Sequence, residues 1–482
     1  MGSGSQLRVA VVGSGPAAFY AAGALLASEF GVEVDVFERL PTPWGLVRLG
    51  VAPDHPKIKE VSRAFERIAQ QPGFRFFGNV EVGRDLEHDD LLRLYDAVVY
   101  AVGAQTDRVM GIPGEDLPGS WPATELVAWY NGHPDFQDLP FDLSCERVVV
   151  VGAGNVAVDV ARMLALTEEE LCGTDTTDEA SAAIAGSGIR EIVLLARRGP
   201  AQAAFTTPEL KELGELAGAD VVVDPADLEL DPASEAALES DTNARRNLEV
   251  LRKYAAREPA GKQKVLRLRF RVSPVAILGD ERVEALEVVR NELVADDRGR
   301  VRAVPTEERE TIPCGLVFRS VGYQGIPLPG VPFDSGSATM PNREGRVLDE
   351  RGEPLPRVYC AGWIKRGPSG VIGTNKKDAT ETVEHLLEDA RAGLLARPAD
   401  ATAERVVELL ADRGVEFVSY AGWEAIDAAE RDRGAAQGRP RVKLCTWDEL
   451  LAAARRSPAH VGEDAQPKRS SEEEQRVPPD RG

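Results

Sequence analysis

The sequence contains few cysteines and no long hydrophobic run. The odd number and wide spacing of its five cysteines argue against a disulfide framework and against cysteine-rich zinc or cluster sites. The five are Cys145, Cys172, Cys314, Cys360 and Cys445. No apolar run approaches the roughly 18 residues that a membrane span needs, and no signal-peptide pattern opens the chain. We therefore expect a cytoplasmic protein without membrane contact.

Positive charge is also scarce. The chain has 57 Lys and Arg against 79 Asp and Glu, which gives a formal net charge of −22. Because phosphate backbones need a positive face, this balance excludes generic nucleic-acid binding. The chain is long enough for about two or three domains, since it has 482 residues of which 43% are hydrophobic. Residues 1–5 are expected to be a leader or cloning remnant, and 457–482 a disordered tail.

A strand, a glycine turn, a helix and a second strand follow one another twice in the chain. The first series is predicted as strand 7–12, turn 13–15, helix 16–28 and strand 33–37. The second is predicted as strand 148–151, turn 152–154, helix 155–166, a polar insertion at 167–188 and strand 191–196. Two such units predict an α/β protein with two doubly wound, Rossmann-like domains, each with a phosphate crevice at the carboxyl end of its first strand.

The first glycine turn has the features of a dinucleotide fingerprint. Gly13 permits the tight turn, Gly15 lets a pyrophosphate approach the backbone, and the small Ala18 lets helix and strand pack closely. Glu38, at the end of the next strand, can accept hydrogen bonds from both ribose hydroxyls but would repel a 2′-phosphate. The predicted ligand is FAD or NAD rather than NADP. The alternative is a plain glycine turn beside a solvated glutamate.

The second glycine turn repeats the fingerprint with Gly152, Gly154 and Ala157, but its strand ends differently. Where the first unit has an acid, this one has Arg197 and Arg198, whose planar guanidinium groups match a phosphate. This pocket is therefore expected to prefer the 2′-phosphate of NADP(H), the alternative being a solvated strand edge. Two sites of opposite preference in one chain predict an FAD that is reduced by NADPH.

Three longer segments are more specific than either turn. They are 41–57 (PTPWGLVRLGVAPDHPK), 196–210 (ARRGPAQAAFTTPEL) and 362–376 (GWIKRGPSGVIGTNK). With the two glycine turns, they make the chain resemble the adrenodoxin-reductase family of NADPH-ferredoxin reductases over about residues 7–455, most closely its bacterial, FprA-type branch. The resemblance implies a monomeric flavoprotein oxidoreductase with ferredoxin–NADP⁺ reductase activity, FAD in one domain and NADP(H) in the other.

The domain boundaries are placed by turn-rich stretches at 111–119 and 322–332. Beyond them, 357–364 is predicted as a strand and 374–395 as a long helix, so the carboxyl-terminal segment is expected to complete the first domain. The predicted domains are an FAD-binding domain made of 6–108 and 325–456, and an inserted NADP-binding domain at 109–324.

The resemblance also implies roles for single residues. Those expected to contact FAD, besides Gly13 and Gly15, are Ala17, Glu38, Leu46, Val82, Trp363, Gly370, Val371 and Ile372. Those expected to contact NADP(H) are Gly154, Asn155, Val156, Ala157, Arg197, Arg198 and Glu209, with Arg108 and Gly370 as weaker candidates. In this family a histidine and a glutamate near the nicotinamide influence turnover, and the matching positions are His55 and Glu209. No metal site is expected.

The residues alone favour plainer explanations for some of these positions. His55 stands in a loop rich in glycine and proline, which is typical of a surface histidine. Glu209 follows Thr207 and Pro208, predicted as N-cap and N1, so the helix dipole accounts for a glutamate there without a catalytic role. The segment 367–373 is either an ordinary turn or a helix start whose N–H groups stabilise negative charge on a reduced flavin.

The exit for electrons is predicted from an absent motif and a charged stretch. The sequence has no CxxC or CxxxxC pair, so electrons are expected to pass directly from the flavin to the acceptor. Ferredoxins and flavodoxins are commonly acidic, and between Arg245 and Arg271 ten Lys or Arg face only Glu249 and Glu258. This basic stripe is either a docking surface that includes Arg245 and Arg246, or a solvated surface.

Three other functions compete with the reductase. An electron-input subunit like the small subunit of glutamate synthase would carry an amino-terminal cysteine-rich cluster region, but no cysteine precedes Cys145. A non-enzymatic NADP(H)-binding protein would keep the fold without turnover. A flavin monooxygenase would hydroxylate a substrate stoichiometrically.

Overall fold

The computed structural model describes residues 7–296, 300–395 and 402–457. The leader expected at 1–5 and all but the first residue of the tail expected at 457–482 lie outside the described residues. Among the described helices, none combines the length and the apolar character needed to cross a membrane.

The secondary structure of the described residues alternates strands and helices in both halves of the chain. The strands are β1 (Arg8–Val12), β2 (Glu33–Glu38), β3 (Phe74–Gly78), β4 (Ala97–Tyr100), β5 (Thr106–Asp107), β6 (Ser120–Pro122), β7 (Arg147–Val151), β8 (Glu191–Ala196), β9 (Ala219–Val223), β10 (Lys264–Phe270), β11 (Val272–Leu278), β12 (Ala285–Ala295), β13 (Val301–Pro313), β14 (Leu316–Arg319), β15 (Tyr323–Gln324), β16 (Asn342–Arg343), β17 (Arg346–Leu348) and β18 (Pro354–Cys360). The α-helices are α1 (Pro16–Leu26), α2 (Leu46–Leu49), α3 (Pro56–Lys59), α4 (Ser62–Ala69), α5 (His88–Leu94), α6 (Ala123–Tyr130), α7 (Asn155–Ala165), α8 (Glu168–Cys172), α9 (Asp178–Ala185), α10 (Thr207–Glu212), α11 (Pro232–Ser240), α12 (Thr242–Ala255), α13 (Trp363–Arg366), α14 (Ile372–Arg391), α15 (Ala403–Asp412), α16 (Tyr420–Ala435) and α17 (Trp447–Ala454).

The first sheet combines strands from both ends of the chain. Within the described residues it has seven strands in the order β16-β17-β18-β4-β1-β2-β3, and the pairs from β18 to β3 are parallel. Val9 and Val11 face a core that includes α1 and α14, whereas Ala10 and Val12 face a second core on the opposite side. Strands that are apolar on both faces are typical of a parallel sheet covered on both sides.

The second sheet is built from the middle of the chain. Its order over the described residues is β6-β14-β7-β8-β10-β9, and every pair is parallel. Helices pack on the face that holds Val148 and Val150, and the antiparallel sheet β11-β12-β13 packs on the face that holds Val149 and Val151. The predicted fold class, two doubly wound units with the second inserted in the first, is confirmed.

The chain passes twice between the two sheets, and the two passages are joined. β5 pairs with β15 in a two-stranded antiparallel ribbon, and the Arg108 N–H donates to the Gly322 carbonyl at 2.8 Å. The ribbon lies at the boundaries predicted between the domains, whose residue limits remain a prediction.

Several predicted element limits are wrong. The strand predicted at 357–364 ends at Cys360, because Gly362 has a φ of +79° and begins α13. The long helix begins at Ile372 and ends at Arg391. α10 has its N-cap at Thr206, not Thr207, because the Thr207 hydroxyl faces α12 and hydrogen-bonds two asparagine side chains there.

We call the part of the molecule around the first sheet the first half and the part around the second sheet the second half. The C-terminal clamp, residues 420–454, attaches to both halves. The fully buried carboxylate of Glu430, on α16, forms an ion pair with buried Arg48 of the first half. Lys443, also buried, lies 3.4 Å from the Asp175 carboxylate in the predicted insertion of the second half. The clamp therefore fixes the two halves relative to each other.

Candidate functional site

The first glycine turn leaves an open cradle at the amino end of α1. Gly13 has a φ of +97°, and a Cβ there would lie 2.6 Å from the Ala101 carbonyl oxygen, so only glycine fits. A Cβ at Gly15 would meet nothing within 4 Å, and this N-cap position has no side-chain cap. The first N–H groups of α1 therefore face open space, which fits a pyrophosphate.

Glu38 lies beside this cradle, as predicted from the strand end. Its carboxylate accepts hydrogen bonds from the Ser14 N–H at 3.1 Å, the Ser14 hydroxyl at 2.6 Å and the Leu40 N–H at 3.0 Å. Removal from water raises the pKa of Glu38, and these hydrogen bonds oppose that shift. A carboxylate that is already directed to the turn can accept further bonds from a ribose.

Two distant segments pack against the first glycine turn. A Cβ at Gly45 would lie 3.0 Å from the Gly15 Cα, and one at Gly362 would lie 2.6 Å from the Ala17 Cβ. These contacts bring 44–46 and 362–375 to the turn. Leu46 and Val371 nevertheless leave 38% and 62% of their surface exposed, which fits an apolar ring lying over them.

The remaining FAD candidates divide between this surface and the core. The Trp363 Nε1–H donates to the Ser369 carbonyl at 3.2 Å and so closes the segment 363–369, and Gly370, whose φ is +79°, follows it directly. Ile372 begins α14 directly after that loop. Val82 is different, because it is buried in the core cluster that also contains Val12.

The second glycine turn forms a similar cradle at the amino end of α7. A Cβ at Gly152 would lie 2.3 Å from the Ser320 carbonyl oxygen, and one at Gly154 would meet nothing within 4 Å. Arg197 is exposed and Arg198 is half-buried at the end of the adjacent strand β8. Burial, and after it the neighbouring Arg197 charge, lower the pKa of Arg198.

The remaining NADP(H) candidates lie around this turn or farther off. Asn155 begins α7, and its side-chain oxygen accepts the Thr206 N–H at 2.8 Å, which joins the turn to α10. Val156 is half-buried and Ala157 is fully buried on the same helix. Arg108 is exposed at the passage between the two sheets.

His55 lies in a buried cluster of charged groups between the two halves. Its Nε2 is 2.6 Å from the Glu212 Oε2 and 3.6 Å from the Glu209 Oε2, and the residue is 8% exposed. The surface histidine that the loop composition favoured is therefore wrong. Glu209 is near His55 as predicted, but Glu212, one helical turn farther along α10, is closer and was missed.

Arg162 completes this group, which we name the His55 cluster: Asp54, His55, Asp159, Arg162, Glu209 and Glu212. The guanidinium donates to both carboxylate oxygens of Asp54, at 2.7 and 2.9 Å, and lies 2.9 Å from Asp159. It also lies 3.3 Å from Glu209. The arginine therefore joins α7 and α10 to the loop before α3.

Burial gives the cluster a group that titrates near neutrality. Desolvation raises the pKa of Asp159 to about 7, against the opposing charge of Arg162, and Glu209 adds to the rise. Burial alone would also raise the pKa of Asp54, but the Arg162 hydrogen bonds and charge hold it below its ordinary value. Such an arrangement can hold or release a proton close to His55.

Three cluster atoms also have the spacing of metal ligands. The ligand atoms of His55, Glu209 and Glu212 lie within 4.8 Å of one another. Arg162, however, lies 3.3 Å from Glu209 and 3.4 Å from Glu212, so its positive charge opposes a metal cation.

The predicted basic stripe separates into a paired half and an exposed half. On β10, Arg267 pairs with Glu191 at 2.9 Å and Arg269 pairs with Glu310 at 2.7 Å. On α12, four basic side chains are exposed: Arg245, Arg246, Arg252 and Lys253. The solvated, ion-paired alternative thus describes β10, whereas α12 keeps a basic surface.

Hydrogen bonds join α12, which carries the exposed basic side chains, to the segment that carries Glu209 and Glu212 of the His55 cluster. The Tyr254 hydroxyl of α12 donates to the Leu210 carbonyl of α10 at 2.8 Å, and the Asn247 side chain donates to the Phe205 carbonyl at 2.9 Å. α12 therefore backs the helix that carries Glu209 and Glu212.

The site has two uncapped glycine cradles, one beside an acidic and one beside a basic strand end, and the His55 cluster. These features define a pyridine-nucleotide-dependent oxidoreductase. A family profile described as "Pyridine nucleotide-disulphide oxidoreductase" matches residues 7–197. All five cysteines are free and none forms a disulfide.

Comparison with individual proteins narrows this class. NADPH-ferredoxin reductase FprA of Mycobacterium leprae (strain TN) is 50% identical over 450 residues, which cover 92% of this chain and 97% of that protein. Mitochondrial NADPH:adrenodoxin oxidoreductase of Arabidopsis thaliana is 41% identical over 465 residues, covering 94% and 96%. The solved structure of Mycobacterium tuberculosis FprA in complex with NADPH is 50% identical, with a TM-score of 0.89 and coverage of 93% and 100%. The chain belongs to the NADPH-ferredoxin reductase family, and the resemblance inferred from its sequence is confirmed.

Proposed function

We propose that this protein transfers a hydride from NADPH to FAD and then passes the electrons one at a time to a ferredoxin. The observation that carries this proposal is the pair of glycine cradles with opposite charge at their strand ends, Glu38 in one and Arg197 with Arg198 in the other. FAD, when bound, supplies the step from two-electron to one-electron chemistry. The chain's own residues bind and orient the two nucleotides.

In the first cradle, Gly13 and Gly15 would receive the FAD pyrophosphate at the amino end of α1, and Glu38 would bind the ribose. We assign further contacts with FAD to the segments near the turn and to one residue of the core below it. The former are Ala17, Leu46, Trp363, Gly370, Val371 and Ile372, and the latter is Val82.

In the second cradle, the N–H groups from Gly154 to Ala157 would receive the NADP(H) pyrophosphate, and the two arginines would bind the 2′-phosphate. Glu209 and Arg108 are assigned to the nicotinamide half of the same ligand.

At the junction, His55 and Glu209 are assigned the influence on turnover that the family resemblance implies, and the geometry adds Glu212. The 2.6 Å contact between His55 and Glu212 fixes the imidazole ring, and the buried Asp159 can exchange a proton near neutral pH. Burial of His55, Arg162 and Glu209 would also limit the access of water to the place where the two cofactors would meet.

Anaerobic titration of the purified flavoprotein tests this function. About one equivalent of NADPH is expected to bleach the flavin absorption band, and NADH is expected to be clearly poorer, because only NADPH carries the 2′-phosphate. A protein that binds no flavin, or whose flavin neither nucleotide reduces, would leave a non-enzymatic NADP(H)-binding protein instead.

We further propose that the ferredoxin, or a flavodoxin, docks on the exposed face of α12. The basic side chains there complement an acidic carrier, and α12 lies against the helix of the His55 cluster. Replacing Arg245 and Arg246 with glutamine is expected to raise the KM for an acidic ferredoxin about tenfold at low ionic strength. The KM for ferricyanide, a small acceptor, is expected to stay unchanged.

A matched pair on β10 provides the control. Arg267→Gln with Arg269→Gln removes the same charge from residues that are already paired with carboxylates, so the ferredoxin KM is expected to change little. Equal increases for ferredoxin and ferricyanide in the α12 variant would exclude the docking surface.

The protein is further proposed to work as a cytoplasmic monomer, in keeping with its few, free cysteines. Size-exclusion chromatography with light scattering would measure the oligomeric state directly.

A further inference from the structure

We propose that Asn291 is a positioning residue for coenzyme choice, because it holds the turn that carries Arg197 and Arg198. The inference rests on the proposed function of those two arginines. Asn291 belongs to β12 of the antiparallel sheet and lies outside both glycine cradles.

The hydrogen bonds of Asn291 reach the backbone of the arginine turn. Asn291 is 3% exposed, and its Nδ2 donates to the Arg197 carbonyl at 2.8 Å and to the Ser273 hydroxyl at 2.8 Å. Its backbone N–H donates to the Arg271 carbonyl at 2.7 Å, and the Arg271 N–H donates to the Arg198 carbonyl at 3.0 Å. The Arg197 carbonyl is therefore held by the Asn291 side chain, and the Arg198 carbonyl by Arg271, which Asn291 itself binds.

The local backbone explains how this side chain reaches the turn. The pairing of β12 with β13 shifts register between Val289 and Asn291, and such irregularities redirect a side chain. Arg271 has a φ of +59°, and it is the single residue that joins β10 of the second sheet to β11 of the antiparallel sheet. Both irregularities fall at the residues that contact the arginine turn, which is where functional constraint is expected.

Positioning matters here because the two arginines repel each other. Burial and the Arg197 charge lower the pKa of Arg198, so the two like charges act on each other before a phosphate arrives. Fixed backbone carbonyls limit the ways in which this turn can separate the two side chains. Binding of the 2′-phosphate then needs little reordering, whereas a free turn would have to be ordered at the expense of affinity.

Calorimetric titration of the FAD-loaded protein with NADP⁺ and NAD⁺ tests the proposal without turnover, since the two ligands differ only in the 2′-phosphate. Asn291→Leu removes the donor and is expected to raise the Kd for NADP⁺ about tenfold, the effect expected from losing the bond to the Arg197 carbonyl, with the Kd for NAD⁺ unchanged. Ser273→Ala is the matched control, because it removes the other acceptor of the same Nδ2 and leaves the bond to Arg197. Its Kd values are expected to match those of the parent.

A double variant tests the role of the two arginines separately from the role of Asn291. Arg197→Ala with Arg198→Ala is expected to abolish the preference for NADP⁺, and adding Asn291→Leu to it is expected to cause no further loss. If the double alanine variant keeps its preference, the role of the arginines fails and the inference fails with it. If it loses the preference while Asn291→Leu keeps it, the inference alone is wrong.

Equal weakening of both ligands by Asn291→Leu would assign Asn291 a general structural role and would also overturn the proposal. Flavin content and thermal unfolding verify that each variant is folded. If the leucine variant does not fold, Asn291→Ala, which removes the same donor with less volume, is measured in the same way and decides the question.

Discussion

Replacing Arg162 with methionine is expected to destabilise the protein by about 3–5 kcal/mol, because removing one partner of a buried ion pair leaves uncompensated charge. The Arg162 side chain is 2% exposed and lies 2.9 Å from Asp159 and 3.3 Å from Glu209. It also donates two hydrogen bonds to Asp54. Without the guanidinium these carboxylates repel one another, the pKa values of Asp54 and Asp159 rise because Arg162 no longer lowers them, and the contact between α7 and the loop before α3 is lost.

The same substitution is expected to slow flavin reduction by NADPH about 100-fold, since a small displacement between reacting groups is enough for a loss of that size. Stopped-flow absorbance measures the rate, and urea unfolding followed by flavin fluorescence measures stability. Arg162→Lys keeps the charge but not the paired hydrogen bonds to Asp54, so we expect an intermediate value for both quantities.

Arg147→Met is a suitable control for Arg162→Met. Arg147 pairs with Glu191 at 2.6 Å, but its side chain is 36% exposed and lies outside the His55 cluster, so a loss of at most about 1 kcal/mol is expected. An Arg162→Met variant with the stability and reduction rate of the parent would show that the cluster does not join the two halves.

Replacing Asp175 with alanine is the second substitution for which we expect a large effect, again about 3–5 kcal/mol of lost stability. Its carboxylate lies 2.7 Å from the Lys59 ammonium and 3.4 Å from that of Lys443, whose side chain is 1% exposed. These two cations hold the pKa of Asp175 below its ordinary value, whereas burial holds the pKa of Lys443 well below its own. Without Asp175, the amino groups of Lys59 and Lys443 lose their shared carboxylate inside the protein.

Differential scanning calorimetry at fixed pH measures this loss. Asp178→Ala is the matched control, because Asp178 is also paired with an arginine of the clamp region, Arg439, but its side chain is 63% exposed. We expect a change below about 1 kcal/mol there. Adding Lys443→Met to Asp175→Ala is expected to restore part of the stability, and an Asp175→Ala variant as stable as the parent would contradict the proposed attachment.

Local sequence patterns were enough to predict the two crevices and the confirmed fold class. Glycines at Gly13 and Gly152 are required because a Cβ would collide with the Ala101 or Ser320 carbonyl, and such requirements are visible as fixed spacings in one short segment. Glu38 could be placed for the same reason, since the end of a parallel strand lies next to the preceding turn. The cofactors followed from these motifs, the family and enzyme class from the resemblance carried by the three longer segments, and all were confirmed.

The His55 cluster could not be assembled from sequence, because its members are far apart in the chain. His55 and Glu212 are separated by 157 positions, and the loop around His55 is held by side chains of α7 and α10. A local signal existed for Glu212, which stands three residues after Glu209 and so on the same helix face. The spacing of Asp159 and Arg162 on α7 is the same, and it too was overlooked.

The basic stripe shows a second limit of prediction from sequence, which concerns the pairing of charges. Arg267 and Arg269 are indistinguishable in sequence from Arg245 and Arg246, yet the former meet acidic partners from other strands. Pairing of this kind depends on sheet order, and it decides which charges are available to a partner.

The divided origin of the first sheet imposes an order on biosynthesis. β4 lies between β1 and β18, and β18 is made only after the whole of the second sheet has left the ribosome. Until then the backbone of Ala97–Tyr100 is an unpaired apolar edge, which is a template for wrong association between nascent chains. Because β18 is made so late, the second half of the molecule is expected to fold first and the first half to close last. Expression at a slow translation rate would prolong the exposure of this edge.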